Sequence, residues 1–191
     1  MFDLALIAPQ AIRPLMRVEY DRMIDKGILD EDERIELLRG TLVQMTPQGS
    51  SHAHVIWMLS DRLSSMLRTR AVVRSHAPLA VSDKSAPEPD IAVVPLGDYF
   101  EAHPTTALLV IEVADSSRKK DVEVKPDVYA EAGVPEYWIV DLKKKEIQVR
   151  TLTKRGKYGL RPKIIKSGKL SPKAFPNIEI DVGELLRRRF G

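Results

Sequence analysis

Hydrophobic positions along the chain change their period several times, and each change marks an element. In residues 17–27, Val18, Met23 and Ile24 stand among polar residues at helical spacing and Gly27 supplies a stop, which predicts a short helix. Residues 30–33 are an acidic run, read as a solvated connection. Ile35, Leu37, Leu42, Val43 and Met45 then flank Arg39-Gly40, a pattern that fits either a hairpin or a helix end with Gly40 as its cap. Residues 51–68 are plainer. Val55, Leu59, Leu63, Met66 and Leu67 recur every three or four residues, giving a helix of about five turns with Ser50 or Ser51 as N-cap.

Beyond this helix the period shortens. Residues 71–74, 79–81, 90–95 and 108–113 are short β-rich runs, and the last two are continuous enough in Ile, Ala, Val and Leu to be strands buried on both faces. A second helix is predicted over 126–132, with Pro126 in its first turn and Gly133 as the stop. Residues 137–141 read as a central strand, and 147–152 with 158–165 as an outer hairpin turned at Arg155-Gly156. The order is helix, several strands, helix, strands, without internal repeat or low-complexity linker. It predicts an α/β fold around a mixed sheet.

Composition narrows what such a fold can do. The chain has 191 residues, 43% of them hydrophobic, enough for one proper core. It contains no cysteine, which excludes disulfides, thiolate zinc sites and thiol nucleophiles and leaves oxygen-ligand metals open. No basic segment precedes the short apolar patch at the N-terminus, and the longest later apolar run, 107–114, is broken by Glu112. Neither a secretion signal nor a membrane span is expected, and a cytoplasmic location is.

The net charge of +3 conceals two unlike halves. Residues 1–100 carry 11 Lys/Arg against 14 Asp/Glu, a net of −3, whereas residues 101–191 carry 19 against 13, a net of +6. Between positions 143 and 173 there are 12 basic residues and a single acid, Glu146. Such a stretch is either a solvated face or a surface for a polyanion, and phosphate chemistry elsewhere would favour the second.

Two acids occupy unusual places in apolar strands. Asp90 opens one strand after Pro87-Glu88-Pro89, and Glu112 lies near the end of another. Carboxylates there are costly unless paired or metal-bound. Their separation of 22 residues suits neighbouring strands joined by the loop around 97–106, and the pair would then suit Mg²⁺ or Mn²⁺; a buried acid with a structural partner is the competing reading. Lys125 and Tyr129, four residues apart, share a face of the second helix. A lysine facing two carboxylates could orient a water and stabilise phosphate charge, although taken alone it is an ordinary surface lysine.

The series Glu36, His52, Pro89-Asp90, Ile111-Glu112-Val113, Asp121, Lys125, Tyr129 and Ala132-Gly133-Val134-Pro135-Glu136-Tyr137-Trp138-Ile139-Val140-Asp141 resembles the Uma-two-type family of restriction endonucleases, a branch of the PD-(D/E)XK nuclease-like superfamily. The resemblance covers roughly residues 17–153 and is most specific from Leu109 to Asp141. It implies a restriction-endonuclease-like core, a central mixed β-sheet flanked by helices with the site at the sheet's edge, and it favours the hairpin at 35–45. Residues 17–191 would form a single nuclease-like domain including a basic hairpin region at 143–173, with 1–16 as an N-terminal extension. In the superfamily the lysine usually lies two residues after the second acid; here that position is Ala114, and Lys125 matches the relocated lysine of this branch.

By the same resemblance Asp90 and Glu112 would bind Mg²⁺ or Mn²⁺, helped by the Val113 carbonyl. Lys125 would position or activate water, Glu36 would be an added acidic ligand or neighbour of the ligands, and His52, Asp121 and Tyr129 would support them. Pro126 directly after Lys125 predicts that the helix starts after the lysine. His54 is expected to be a helix-surface residue. Lys143, Lys144, Lys145, Lys154, Arg155 and Lys157 would bind nucleic acid, with DNA as the expected partner. The implied activity is metal-dependent phosphodiester hydrolysis. The alternatives are a module on a nuclease-like fold that binds nucleic acid or protein without cutting, and a metal-dependent hydrolase of smaller phosphoesters. Cutting both strands would suit a homodimer; Ile147, Val149, Tyr158 and Leu160 would either face that partner or complete the sheet's own core. Residues 185–189 read as a helix end whose arginines suit the helix dipole.

Overall fold

Strands that are apolar at every position need cover on both faces, and this requirement organises the molecule. The computed structural model describes residues 11–30, 33–114 and 118–187. In chain order the first elements are α1 (Arg17–Asp25), β1 (Ile35–Leu38), β2 (Thr41–Gln44), α2 (Ser50–Leu67), β3 (Val72–Ser75), β4 (Ile91–Val94) and β5 (Leu109–Ala114). They are followed by α3 (Arg118–Glu123), α4 (Lys125–Glu131), β6 (Glu136–Asp141), β7 (Glu146–Thr151), β8 (Lys163–Ile165), β9 (Lys169–Leu170), β10 (Ile180–Asp181) and α5 (Val182–Leu185). The architecture is the expected mixed sheet flanked by helices.

Six strands form the central sheet in the order β3-β4-β5-β6-β7-β8. β5 and β6 are parallel, joined by a crossover through α3 and α4, and every other neighbouring pair is antiparallel. The period of two sends alternate residues to opposite layers. Leu109, Ile111 and Val113 of β5, with Trp138 and Val140 of β6, pack under α2 through Val55, Leu59 and Leu63. Val110 and Ala114, with Tyr137 and Ile139, pack on the other side against Tyr129 and Val134. Glu112 belongs by parity to this second side, beneath α4.

The hairpin reading of 35–45 holds, as β1 pairs with β2 in the register Glu36↔Val43 and Leu38↔Thr41. Arg39 and Gly40 both have positive φ, 51° and 80°, as a tight two-residue turn of this twist requires. Glycine at position 40 also admits the chain before α1, since a Cβ there would lie 2.9 Å from Pro14 Cα. The Leu37↔Ala86 bridge ties the hairpin to the segment entering β4.

Several local expectations change. The N-cap of α2 is Gly49, with Ser50 already helical and no side-chain cap bond. Residues 79–81 are not a strand: Leu79 is fully buried, and its amide bonds to the Pro87 carbonyl outside any ladder. Residues 118–123, to which the sequence pattern assigns no element, form α3, and α4 begins at Lys125 itself, with Pro126 in its first turn where a missing N–H costs nothing. Ile147 and Val149 complete the core, whereas Leu160 is 99% exposed. His54 is on the helix surface as expected, its ring 5.8 Å from that of Trp57. Residues 1–10, positions 31 and 32 of the acidic run, positions 115–117, and residues 188–191 with the arginines at 188 and 189 lie outside the described residues. Among the described residues no helix is long and apolar enough to cross a membrane.

Candidate active site

Parity places Glu112 under α4, and the antiparallel β4/β5 register, Ile91↔Ile111, brings Asp90 beside it. The Asp90 amide points at Glu112 Oε2 over 3.4 Å, and Asp90 Oδ2 accepts a 2.7 Å bond from the Val113 amide. The two acids are thus stitched to each other's strands. From the crossover, Lys125 Nζ donates to Glu112 Oε1 at 2.7 Å, and Tyr129 Oη, one turn later, donates to the same oxygen at 2.8 Å. The hairpin contributes Glu36, whose Oε2 is 3.2 Å from Lys125 Nζ and also accepts from the Glu88 amide. Its Oε1 accepts from Lys120 Nζ of α3 at 2.6 Å. Asp121 Oδ1 is 4.0 Å from Lys125 Nζ, and its carbonyl accepts from Tyr137 Oη. His52, in the first turn of α2, places Nε2 3.3 Å from Asp90 Oδ2.

Glu36, His52, Asp90, Glu112, Asp121, Lys125 and Tyr129, all singled out in the sequence, therefore meet at one place and are all buried. Lys120, His76 and Gln48 join them. Gln48 Nε2 lies 3.3 Å from His76 Nδ1, which is 3.8 Å from Asp90 Oδ1. His76 holds a positive φ of 49°, uncommon for a side-chain-bearing residue and a mark of local strain. Nothing in the sequence signals that conformation, and Lys120 stands in a polar stretch with no hydrophobic period to mark a helix.

Burial raises the Glu112 carboxyl well above its ordinary value; the Lys125 ammonium opposes the rise while Asp90, Asp121 and Glu36 add to it. Burial also works against ionisation of Glu36, but the charges of Lys125 and Lys120 outweigh it and hold that carboxyl below its usual value. Asp90 is likewise lowered: desolvation is overcome by hydrogen bonding to His52 and by its charge. The His52 imidazole moves the other way, its burial being outweighed by Asp90. Lys125 is held protonated despite desolvation by Glu112, Glu36 and Asp121.

His52, Asp90, Glu112, Asp121 and Lys125 line a cleft of about 40 Å³ with Arg34, Gln48 and Lys120 at its wall, and Glu36, fully buried, touches it only through the two lysines. That is room for an ion with two or three waters at about 10–15 Å³ each. The carboxylate oxygens of Asp90 and Glu112 are hard donors of the kind a divalent cation takes, and such a cation would favour the ionised form of Glu112 that burial opposes. Among the described residues no three His, Asp or Glu side chains are grouped to hold a metal. A hard divalent cation held by only two carboxylates would complete its shell with water or substrate oxygen.

The basic segment divides between the two ends of the sheet. Lys143, Lys144 and Lys145 are exposed in the β6–β7 turn, at the end where Ala114 pairs with Asp141 and where the cleft opens. Lys154, Arg155 and Lys157 are exposed beyond Thr151, which pairs with Glu136 at the opposite end, about 17 Å away along a six-residue strand.

A six-stranded mixed sheet with an acid-and-lysine cluster at the ends of its inner strands β4 and β5 defines a protein of nuclease-like α/β fold. In agreement, 91% of the chain superposes on 98% of a solved structure from Anabaena variabilis, described as "a putative nuclease belonging to DUF820", with a TM-score of 0.72 at 15% identity. The model of the Uma2 family, described as "Putative restriction endonuclease", matches residues 17–183, and the chain belongs to that family. No curated protein matches it.

Proposed function

We propose that the chain is an endonuclease that hydrolyses phosphodiester bonds of DNA with the help of Mg²⁺ or Mn²⁺. The observation that carries this reading is the convergence of Asp90 and Glu112 on one cleft, with Lys125 held between Glu112 and Glu36. Asp90 and Glu112 would hold the cation, with the Val113 carbonyl as a further oxygen. When bound, the cation supplies Lewis-acid polarisation of the phosphoryl group and lowers the pKa of water. Lys125 and Tyr129 fix the Glu112 carboxylate through one oxygen and leave the other toward Asp90. Lys125 thereby positions the attacking water through the carboxylate it orients. His52 and the Val113 amide fix Asp90 in the same way.

The turn Lys143–Lys145 would meet phosphates next to the cut. Lys154, Arg155 and Lys157, about 17 Å further, would reach phosphates roughly five base steps along a strand at about 3.4 Å per step. Residues 17–191 work as one nuclease domain with 1–16 as an extension, and cutting of both strands would use a homodimer.

The experiment is nicking of supercoiled plasmid with Mg²⁺ or Mn²⁺. Wild type is expected to nick and Asp90→Ala to lose at least about 10²-fold; wild type that nicks no faster than Asp90→Ala refutes the proposal. Alanine at position 114, where the superfamily usually carries its lysine, favours a second reading, a module that binds DNA without cutting. Salt-dependent binding without metal-dependent nicking would identify it.

A further inference from the structure

Two ammonium groups share Glu36, and they differ in what they are free to do. Lys125 Nζ touches Glu112 at 2.7 Å and Glu36 at 3.2 Å, has Asp121 at 4.0 Å, and its side chain is 1% exposed. Lys120 Nζ has Glu36 Oε1 at 2.6 Å, its side chain is 18% exposed, and it lines the cleft wall. Moving Lys125 toward a substrate would strip Glu112 of one of its two donors on Oε1 and leave three buried carboxylates facing one another. Moving Lys120 would leave Glu36 still bonded to Lys125 and to the Glu88 amide.

We infer that Lys120 is a further catalytic residue that contacts a nonbridging oxygen of the substrate's phosphate, while Lys125 acts as a positioning residue for Glu112 and Glu36. The inference rests on the proposed nuclease reading and assigns the phosphate contact within it. A phosphodiester entering the cleft carries a negative charge and competes with Glu36 Oε1 for the Lys120 ammonium. Glu36 stays paired when it gives Lys120 up, because its second oxygen keeps Lys125 and the Glu88 amide, and the phosphate replaces the carboxylate as the partner of Lys120. Lys120 then stays with the phosphate as charge develops, where an ion pair in a water-poor cleft is strongest. No bond to Lys120 forms or breaks; the ammonium keeps its proton and exchanges one oxygen partner for another.

The test compares wild type, Lys120→Gln and Lys143→Gln by two readouts. Fluorescence anisotropy of a labelled DNA duplex in EDTA, over a range of KCl concentrations, gives the salt slope of binding. Both variants are expected to reduce that slope by about 0.9, one phosphate contact each. Manganese-dependent nicking separates them. Lys120→Gln is expected to lower kcat by about 10²-fold at saturating plasmid, whereas Lys143→Gln raises KM and leaves kcat near wild type. Acetylation footprinting of the unaltered chain, read by mass spectrometry, keeps the test decisive even where Lys120→Gln fails to fold. The duplex should protect Lys120 several-fold, while Lys125 stays unreactive with or without DNA.

A wild-type slope and wild-type kcat in Lys120→Gln overturn the inference and leave the nuclease reading standing. So does a Lys120 that duplex does not protect, or that resists acetylation in the free protein. Wild type that binds duplex without nicking defeats the nuclease reading, and the slope and footprint then still decide whether Lys120 meets phosphate. Wild type that neither binds nor nicks overturns both.

Discussion

Replacing Lys125 by methionine removes an ammonium shared by two buried carboxylates. Its nitrogen lies 2.7 Å from Glu112 and 3.2 Å from Glu36, and all three side chains are essentially shielded from water. At an effective dielectric of about 20, contacts at these distances amount to about 11 kcal/mol of gross attraction. Desolvation of the three groups cancels most of that, and truncating one member of a buried ion pair costs about 3–5 kcal/mol net. This is a large part of the roughly 5–15 kcal/mol that holds a domain folded. Glu112 already sits well above its ordinary pKa because of its burial, so the vacated site takes up a proton as pH falls and the loss shrinks toward acid. Glu112→Gln removes the charge but keeps an oxygen for Tyr129, so the double variant Lys125→Met/Glu112→Gln should recover about 1.5–3 kcal/mol relative to additivity. Urea unfolding followed by tryptophan emission measures this directly, since Trp138 is fully buried while Trp57 is 63% exposed. An unchanged m-value would show that the same fold is being compared. Lys125→Met within about 1 kcal/mol of wild type, or a strictly additive cycle, would refute the electrostatic account of the cluster.

Three other outcomes can be measured. The His52 imidazole should titrate above 6.5 by NMR in wild type and lower in Asp90→Asn; the stability from this pair is present below the free-histidine pKa and lost as pH rises through the raised value, and a wild-type midpoint at or below 6.5 would contradict it. Binding of Mn²⁺ should release protons and weaken as pH falls, by up to about tenfold per pH unit for one proton displaced from Glu112, so calorimetry in buffers of different ionisation enthalpy that finds no proton release argues against Glu112 as a ligand. Gly40→Ala should cost about 1–3 kcal/mol through its positive φ and its clash with Pro14, and an unchanged melting temperature would mean that the hairpin carrying Glu36 is not held as described.

The central sheet and α2 were legible because burial on both faces and helical period leave strong marks on composition. The runs at 91–94 and 109–114 contain little besides Val, Ile, Leu and Ala, with Glu112 as the exception that parity turns toward α4. The hairpin at 35–45 was not decidable locally, since Arg39-Gly40 serves either element and only the cross-strand register Glu36↔Val43 distinguishes them. α3 escaped notice because Arg-Lys-Lys-Asp-Val-Glu has one apolar residue and shows no period; its helicity comes from lying in the β5–β6 crossover. Residues 79–81 misled for the opposite reason: Leu79 is buried by contacts from outside any ladder, which a short apolar run cannot reveal. Asp90, Glu112 and Lys125 could be found in the chain, but the place of Lys120 depends on how α3 packs. The basic stretch likewise looked like one patch and is two, because β7 carries the chain from one end of the sheet to the other.

Relocation of the lysine follows from packing. Position 114, two residues after Glu112, shares the face of Glu112 and would point a lysine along the strand toward the same site. In this fold that face carries Tyr129 and Tyr137, with ring centres 5.1 Å apart, and Ala114 is fully buried among them. A lysine there would have to displace an aromatic ring or bury its stem without a path to the cleft. The crossover offers another route, because α4 begins with Lys125, whose Nζ reaches Glu112 at 2.7 Å and Glu36 at 3.2 Å from the helix rather than from the strand. The geometry of the site consequently depends on how α4 docks on the sheet rather than on the pleat of one strand. Substitutions that shift α4 without touching the cleft, such as Val134→Ala at its fully buried C-terminal exit, should therefore disturb Lys125 and Tyr129 together and the strand-borne Asp90 least.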